Sequence, residues 1–175
     1  KEVIREFVEY SYETAGGASE ASLVAADYSL AVDRLSHNVL REKQLEPAWR
    51  AVREWISQSE DLTAIRELTK QAQLLFLIQK QGDQFLSYRH DRLRDYLLSD
   101  FSLSRMERDG ADIGYLGDPY YYSILGKGIA YFRPSEAVLS RLCDENALAL
   151  FEALREIGGE APEYEETLRT VIQTW

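Results

Sequence analysis

Apolar residues in the first 73 positions recur every three or four residues, as they do along one face of an α-helix. This spacing predicts four helices. The first is expected to end at Gly16-Gly17, the third to carry Pro47 in its first turn, and the fourth to be capped by Ser59 or Asp61. The apolar stripe of the second helix is Ala31, Val32, Leu35, Val39 and Leu40.

The pattern changes from helix to strand after residue 73. LLFLIQK is a short apolar run rich in strand-forming residues, and FLSYR alternates apolar with polar side chains. The two runs flank Gly82-Asp83, so they are expected to form a hairpin around that turn. Asp91 is then expected to cap a further helix. The second, third and fourth helices, followed by a two-stranded wing and another helix, form the winged-helix arrangement, a variant of the helix-turn-helix.

The remaining third of the chain predicts helices with short connections. GADIGYLGDP, residues 110–119, holds three glycines and a proline and is expected to be a hinge. Helices are predicted from Asp118-Pro119, over residues 135–143 and 146–157, and from Pro162 onwards. The apolar face of the first of these is Tyr121, Ile124, Leu125 and Ile129. The predicted fold class is therefore mainly α: a winged helix over residues 21–108, a glycine-rich hinge over 109–117, and a repeat-like helical array over 118–175.

Composition and charge narrow the classes of partner. The formal net charge of −10 repels nucleic acid and anionic lipid from the surface as a whole. The longest apolar runs, among them Leu74 to Ile78, are too short to cross a membrane, and the first residues lack the apolar region of a signal peptide. A lone cysteine, Cys143, and two distant histidines make no metal site and favour the cytoplasm. Because the chain begins at Lys1 without a methionine, we expect it to be a piece of a longer protein.

Catalytic signatures are missing from the sequence. The only Gly-Lys pair, Gly126-Lys127, is followed by Gly128 where a nucleotide-binding loop needs Ser or Thr. The sequence has no Gly-x-Ser-x-Gly elbow, and Cys143 has no histidine near it, so it is expected to be a buried structural thiol. We therefore expect this chain on its own not to be an enzyme.

The end of the wing concentrates positive charge around His90. Residues 66–94 hold six basic and three acidic side chains, including Arg89, Arg92 and Arg94 close to His90. A helix starting there offers free N–H groups, so the place could bind a phosphate, with Asp91 opposing it. The alternative is a structural histidine that ties the strand to the helix. By contrast, residues 61–73, the presumed recognition helix, balance to zero charge, which disfavours DNA binding.

The segment YRHDRLRDYLLS resembles the end of the winged-helix domain in NACHT and related STAND ATPases, signal-transduction ATPases with numerous domains. This resemblance extends over roughly residues 28–103. It implies that residues 1–20 are the tail of a preceding helical subdomain and that residues 118–175 begin a sensor array. The positions that match the motif are Tyr88, His90, Arg94, Asp95, Tyr96 and Leu97.

The resemblance also implies a regulatory function. In that family the winged-helix histidine contacts the β-phosphate of ADP held by an upstream domain, and exchange for ATP lets the wing swing and the protomers oligomerise. Carried over, His90 is the phosphate contact, Arg89 and Arg92 are helpers without a family counterpart, and ADP or ATP with magnesium is expected only in the intact parent. A sensed ligand and a setting in bacterial defence signalling follow from the same resemblance.

Two alternatives stand beside this reading. The first is a DNA-binding winged-helix regulator, which is disfavoured because the presumed recognition helix has no net charge. The second is a helical scaffold that binds protein partners through exposed aromatic side chains. The aromatic residues considered for that role are Tyr120, Tyr121, Tyr122 and Trp175.

Overall fold

The computed structural model describes residues 2–16, 21–70, 74–108 and 114–175, and the side chains of these apart from 21–26. In these ranges the chain forms nine α-helices and a two-stranded antiparallel hairpin after the fourth helix, which confirms the predicted mainly α fold class. None of these helices is long and apolar enough to cross a membrane. The helices are α1 (Glu2–Gly16), α2 (Ala21–Arg41), α3 (Trp49–Trp55), α4 (Ser59–Lys70), α5 (Asp91–Met106), α6 (Tyr122–Phe132), α7 (Glu136–Asn146), α8 (Leu148–Ile157) and α9 (Pro162–Thr174). The strands are β1 (Leu75–Lys80) and β2 (Asp83–Tyr88).

Residues 1–97 form the first of two compact units, and the division falls inside α5. In this unit α1 packs against α2 and α4, α2 also packs against α4, and α4 contacts β1. Burial of this apolar surface is the main force that holds the helices together. The largest fully buried side chains here are Leu35, Leu40, Ile65, Leu68, Leu74, Leu75 and Leu86.

The segment before α3 joins the hairpin. Ala48 makes an isolated antiparallel bridge with Phe85, and the Pro47 carbonyl accepts a hydrogen bond of 2.9 Å from the Leu86 N–H. The prediction that Pro47 lies in the first turn of the third helix is therefore wrong, because α3 begins at Trp49. Proline lacks an N–H but keeps its carbonyl, so it can serve as an acceptor at the edge of a strand.

The hairpin turn consists of Gln81 and Gly82, which both have positive φ, 51° and 91°. Lys80 pairs with Asp83 in the register, so Asp83 is already in β2 and the predicted turn at Gly82-Asp83 is off by one residue. Two central residues with positive φ define the type I′ turn, whose twist matches that of the strands. Gln81 thus occupies a conformation that most side chains disfavour.

Replacing Gln81 by asparagine should raise the free energy of unfolding of the chain by about 0.5 kcal/mol, because asparagine enters the left-handed region more readily than glutamine. Urea unfolding followed by circular dichroism measures this difference. Gln84→Asn is the matched control inside β2, where asparagine is disfavoured and no gain is expected. Equal or lower stability of Gln81→Asn would contradict the turn assignment.

The second unit, residues 98–175, contains the end of α5, two short 3-10 helices and α6 to α9. The Asp118 side chain accepts a 2.8 Å hydrogen bond from the Tyr120 N–H and caps a 3-10 turn over Pro119–Tyr121. The helix predicted to start at Asp118-Pro119 therefore begins as this 3-10 turn and continues as α6. The buried Asn146 side chain donates to the carbonyls of Leu116 and Asp118, at 2.9 and 3.1 Å. These bonds fix the connection before α6 onto α7.

Part of the predicted hinge over 109–117 lies outside the described residues, namely 109–113. The rest, Gly114–Gly117, is a 3-10 helix whose Leu116 is completely buried. Within the second unit α8 packs against α6, α7 and α9. The helices after residue 121 therefore stack on one another through a shared apolar core.

One predicted exposed aromatic is in fact at the centre of this unit. Tyr121 has 0% of its surface exposed, whereas Tyr120 is 54% and Tyr122 41% exposed. The expectation that Tyr121 contributes to an exposed aromatic surface is therefore wrong, whereas its predicted place on one apolar face with Ile124, Leu125 and Ile129 is confirmed. Burial raises the pKa of the Tyr121 hydroxyl above its ordinary value, with smaller contributions from Tyr120 and Asp118.

Candidate functional site

His90 is the residue at which β2 gives way to α5. Its carbonyl accepts hydrogen bonds from the N–H groups of Leu93 and Arg94, at 3.0 and 3.1 Å, so His90 occupies the capping position of the helix. Asp91 is the first helical residue, and the prediction that Asp91 caps the helix is wrong. The cause is the end of the sheet: the Arg89 N–H still bonds the Leu74 carbonyl at 3.0 Å, so the chain turns immediately after it.

The imidazole of His90 and the side chain of Arg92 are both exposed at this helix start. Since the His90 carbonyl takes the N–H groups of Leu93 and Arg94, the N–H groups of Asp91 and Arg92 have no acceptor within α5. They carry the partial positive charge of the helix end. The structure thus brings together two of the three predicted phosphate contacts, His90 and Arg92, with two backbone donors.

Arg89, the third predicted residue, is directed towards α1. It is half-buried, and its guanidinium lies 5.7 Å from the ring centroid of Phe7. A cation at this distance from an aromatic face is attracted by the ring quadrupole. Arg89 therefore ties α1 to the end of β2, a contact that the sequence did not reveal because the two residues lie far apart in the chain.

Arg94 is engaged by two carboxylates of its own helix. Its Nη1 lies 2.9 Å from Asp91 Oδ1, and its Nη2 and Nε lie 2.8 and 3.1 Å from Asp95 Oδ1. Asp95 is 2% exposed, so its carboxylate requires this partner. The positive charge of Arg94, which the sequence count placed in the basic excess, is balanced within the helix.

Glu46 binds both strands of the hairpin. Its carboxylate accepts hydrogen bonds from Lys80 Nζ at 2.6 Å and Ser87 Oγ at 3.1 Å, one residue from each strand. The Lys80 hydrogen bond holds the pKa of Glu46 below its ordinary value, helped by Ser87 and by the charge of Arg94. Nothing in the sequence points to Glu46, because its partners lie 34 and 41 positions away along the chain.

A concave feature between α2 and α4, which we call the acidic cleft, has a volume of about 460 Å³. Tyr28 donates a hydrogen bond from its hydroxyl to Glu67, and Arg34 donates to Asp61 and Gln58. Burial, and then Glu67, raise the pKa of the Tyr28 hydroxyl. The charged side chains that line the cleft are Asp27, Glu60, Asp61, Glu67 and Arg34, four carboxylates against one guanidinium.

No family model, curated protein or solved structure matches this chain. A functional proposal for it therefore depends on its own residues.

Cys143 and His37 remain as candidates for chemistry, and both are at least partly buried. Cys143 is 2% exposed, as predicted for a buried thiol, and burial together with the charge of Asp144 raises its pKa. His37 is half-buried on α2. Within the ranges that the structure describes, no three His, Cys, Asp or Glu side chains are grouped to hold a metal ion.

The second unit exposes apolar side chains on α8. Leu148 and Phe151 lie one helical turn apart and are 52% and 53% exposed. Trp175 is 66% exposed, and its Nε1 donates to Asp144 Oδ1 at 3.2 Å. The sequence alone does not distinguish Leu148 and Phe151, because their spacing is also that of a core-facing stripe.

Proposed function

We propose that this chain is the non-catalytic regulatory portion of a NACHT- or STAND-type NTPase, and that it couples the ADP or ATP state of an upstream domain to the position of a sensor array. In this proposal His90 contacts a phosphate of the nucleotide, with magnesium and the nucleotide-binding loop supplied by the upstream domain. The observation that carries the proposal is the exposed His90 side chain beside the two N–H groups of α5 that have no helical acceptor.

The connectivity of the first unit supports a winged helix. Helices α2, α3 and α4 precede the hairpin, and the segment before α3 bridges to β2 through Ala48 and Phe85. The hairpin is thereby fixed to the helices by backbone pairing as well as by the Glu46 hydrogen bonds. A wing held in this way can act as one side of a two-state lever that a bound ligand biases.

The charge of α4 opposes the alternative of DNA binding. The helix carries Arg66 and Lys70 against Glu60, Asp61 and Glu67, a balance of 2 − 3 = −1. Arg66 also lies over the Trp49 ring, 5.7 Å from its centroid, and the acidic cleft adjoins the same helix. DNA affinity depends on neutralising phosphates, and this helix offers few free cations for that purpose.

A protein-binding scaffold is the second candidate function, because Leu148 and Phe151 are exposed as a pair on α8. Paired apolar residues on the exposed face of a helix are found where helices dock on partners. This function is compatible with the first proposal, in which protomers oligomerise on activation and a sensor array binds an as yet unidentified ligand, in a cytoplasmic setting such as bacterial defence signalling.

In the intact parent, His90→Ala is expected to weaken ADP retention about tenfold, the effect of losing one charge-assisted hydrogen bond. Release of bound ADP, measured with a fluorescent analogue, should become faster, and spontaneous oligomerisation measured by light scattering should increase. His37→Ala removes the other histidine, on α2, and serves as the matched control, with no change expected in either measurement.

Two results would contradict the proposal. If His90→Ala releases ADP at the rate of the unmodified parent, His90 does not contact the nucleotide. If the 175-residue chain instead shifts duplex DNA with a steep dependence on salt, the DNA-binding alternative replaces this proposal.

A further inference from the structure

Helix α8 exposes apolar side chains where a surface helix normally carries polar ones. Its apolar side chains that face the core of the second unit are Ala149, Leu150, Ala153 and Ile157. Leu148 and Phe151 lie outside that face, one helical turn apart, and are 52% and 53% exposed. An amphipathic helix at a surface turns charged and polar residues towards water, so covering these two side chains with a partner would be favourable.

The exposed apolar surface continues towards the ends of α7 and α9. Ala147, between α7 and α8, keeps helical dihedral angles, φ −54° and ψ −30°, so Asp144 lies one helical turn before Leu148. The Asp144 carboxylate accepts a 3.2 Å hydrogen bond from Trp175 Nε1, and Trp175 is 66% exposed. The indole therefore borders the start of α8. We call Trp175, Leu148 and Phe151 the apolar strip.

The helices that carry the apolar strip are strongly acidic. Residues 136–175, which contain α7 to α9, hold three basic and nine acidic side chains, a balance of 3 − 9 = −6 out of the −10 of the whole chain. Two of the three cations, Arg155 and Arg169, already form ion pairs with carboxylates of their own helices. Asp144 and Glu145 are both exposed and stand directly before α8. The strip therefore begins beside two carboxylates.

This charge distinguishes between the possible occupants of the apolar strip. A second copy would bring the same acidic helices together, because a two-fold interface places equal patches opposite each other and like charges repel. Nucleic acid and anionic lipid are repelled for the same reason. A cationic partner is attracted instead, and its charged side chains at the edge of the contact would meet Asp144 and Glu145.

We propose that the apolar strip is the docking site for a basic amphipathic helix of a partner protein. Apolar residues three or four positions apart on that helix pack on Leu148 and Phe151, which have the same spacing, and its flanking Lys or Arg side chains face Asp144 and Glu145. The second candidate function, the protein-binding scaffold, leaves the chemistry of the partner open, so the inference rests on that function. It is independent of His90 and of any nucleotide.

Three model peptides test the chemistry of the partner. The first is a fluorescent helix of about 18 residues, roughly five turns, with leucine at every third or fourth position and lysine elsewhere. The other two keep the leucines and replace every lysine by glutamine or by glutamate. Each peptide is titrated with the 175-residue chain, and binding is followed by fluorescence anisotropy.

The lysine peptide should bind about tenfold more tightly than the glutamine peptide, and the glutamate peptide should bind more weakly than either. Raising the salt concentration from about 50 mM to about 500 mM should remove most of the difference between lysine and glutamine, because salt screens charges at an exposed rim.

Phe151→Ala tests whether the apolar strip is the place of binding. It should weaken binding of the lysine peptide about tenfold, as truncation of an aromatic anchor does, and Leu148→Ala should act in the same direction. Both residues are half exposed, so the variants are expected to fold, which far-UV circular dichroism checks. Tyr10→Ala, at an aromatic residue of α1 that is 65% exposed, is the matched control and should leave binding unchanged.

A charge variant tests the acidic edge separately. Asp144→Asn combined with Glu145→Gln removes two charges and keeps an oxygen acceptor for the Trp175 indole. It should weaken binding of the lysine peptide about fivefold and change that of the glutamine peptide by less than about twofold. Glu6→Gln combined with Glu13→Gln removes two exposed charges from α1 and is the matched control, with no change expected.

Four other outcomes would overturn the inference. If no peptide binds, the apolar strip does not dock helices, and the scaffold function fails with it. If the lysine and glutamine peptides bind equally and both depend on Phe151, the scaffold function stands and the basic partner is wrong. If Phe151→Ala binds the lysine peptide as tightly as the unmodified chain, the acidic surface attracts the peptide without the strip. If sedimentation equilibrium shows dimers that Phe151→Ala separates, a second copy occupies the strip.

Discussion

Replacing Tyr121 by alanine is expected to lower the free energy of unfolding by about 3–4 kcal/mol, the usual range for truncating a large buried side chain. Tyr121 is 0% exposed and is among the largest fully buried side chains of the described residues. Alanine leaves a cavity in the second unit, and the surrounding helices close over it only in part. Urea unfolding followed by circular dichroism measures the loss.

Tyr120→Ala is the matched control for this prediction. It removes the same side chain from the adjacent residue, which is 54% exposed, and should cost less than about 1 kcal/mol. The Tyr120 ring meets that of Tyr121 edge to face with centroids 5.2 Å apart, so a small loss is expected and not zero. Equal losses for the two variants would contradict the burial of Tyr121.

The helices and the hairpin were predictable, because they depend on the spacing of apolar residues along the chain. The burial of Tyr121 was predictable for the same reason, because Tyr121, Ile124, Leu125 and Ile129 recur at helical spacing and form one buried face. Consecutive residues of a helical turn point about 100° apart, so only some of Tyr120, Tyr121 and Tyr122 can face the core. The apolar residues that follow, Ile124, Leu125 and Ile129, select Tyr121, and the 3-10 turn over Pro119–Tyr121 leads directly into the helix that carries this face.

The candidate site was predictable only in part. His90 and Arg92 lie together because they are neighbours in sequence and because a helix begins between them. Arg89 and Arg94 look equivalent to Arg92 in a count of charges, yet Arg89 contacts Phe7 on α1, and Arg94 binds two carboxylates. Charge counts along a chain take no account of the partners that folding supplies.

Contacts between residues far apart in the chain could not be predicted from the sequence. The Glu46 contacts to both strands and the acidic cleft between α2 and α4 join residues that lie tens of positions apart. Neither a period nor a motif encodes such a meeting. It arises from the packing of α2 against α4 and from the bridge between Ala48 and β2.

Gly126→Ala should lower the free energy of unfolding by about 2 kcal/mol, although alanine is the better helix former by about 1 kcal/mol. Gly126 is buried in α6 where that helix packs against α8. A methyl group there would lie 2.5 Å from Cβ and Cγ of Glu152 and 2.9 Å from the backbone oxygen of Ala149. Because the last contact is with backbone, α8 itself has to move away from α6.

Ser123→Ala, at a half-buried position of the same helix, is the matched control for Gly126→Ala and should change the free energy of unfolding by less than about 0.5 kcal/mol. Glu152 is 7% exposed and its carboxylate lies 2.5 Å from Arg155 Nη2, so it has little freedom to move aside for the methyl group. A thermal melt in which Gly126→Ala unfolds at a higher temperature than the wild type would show that helix propensity outweighs the close approach, and that α6 and α8 are farther apart than these distances require.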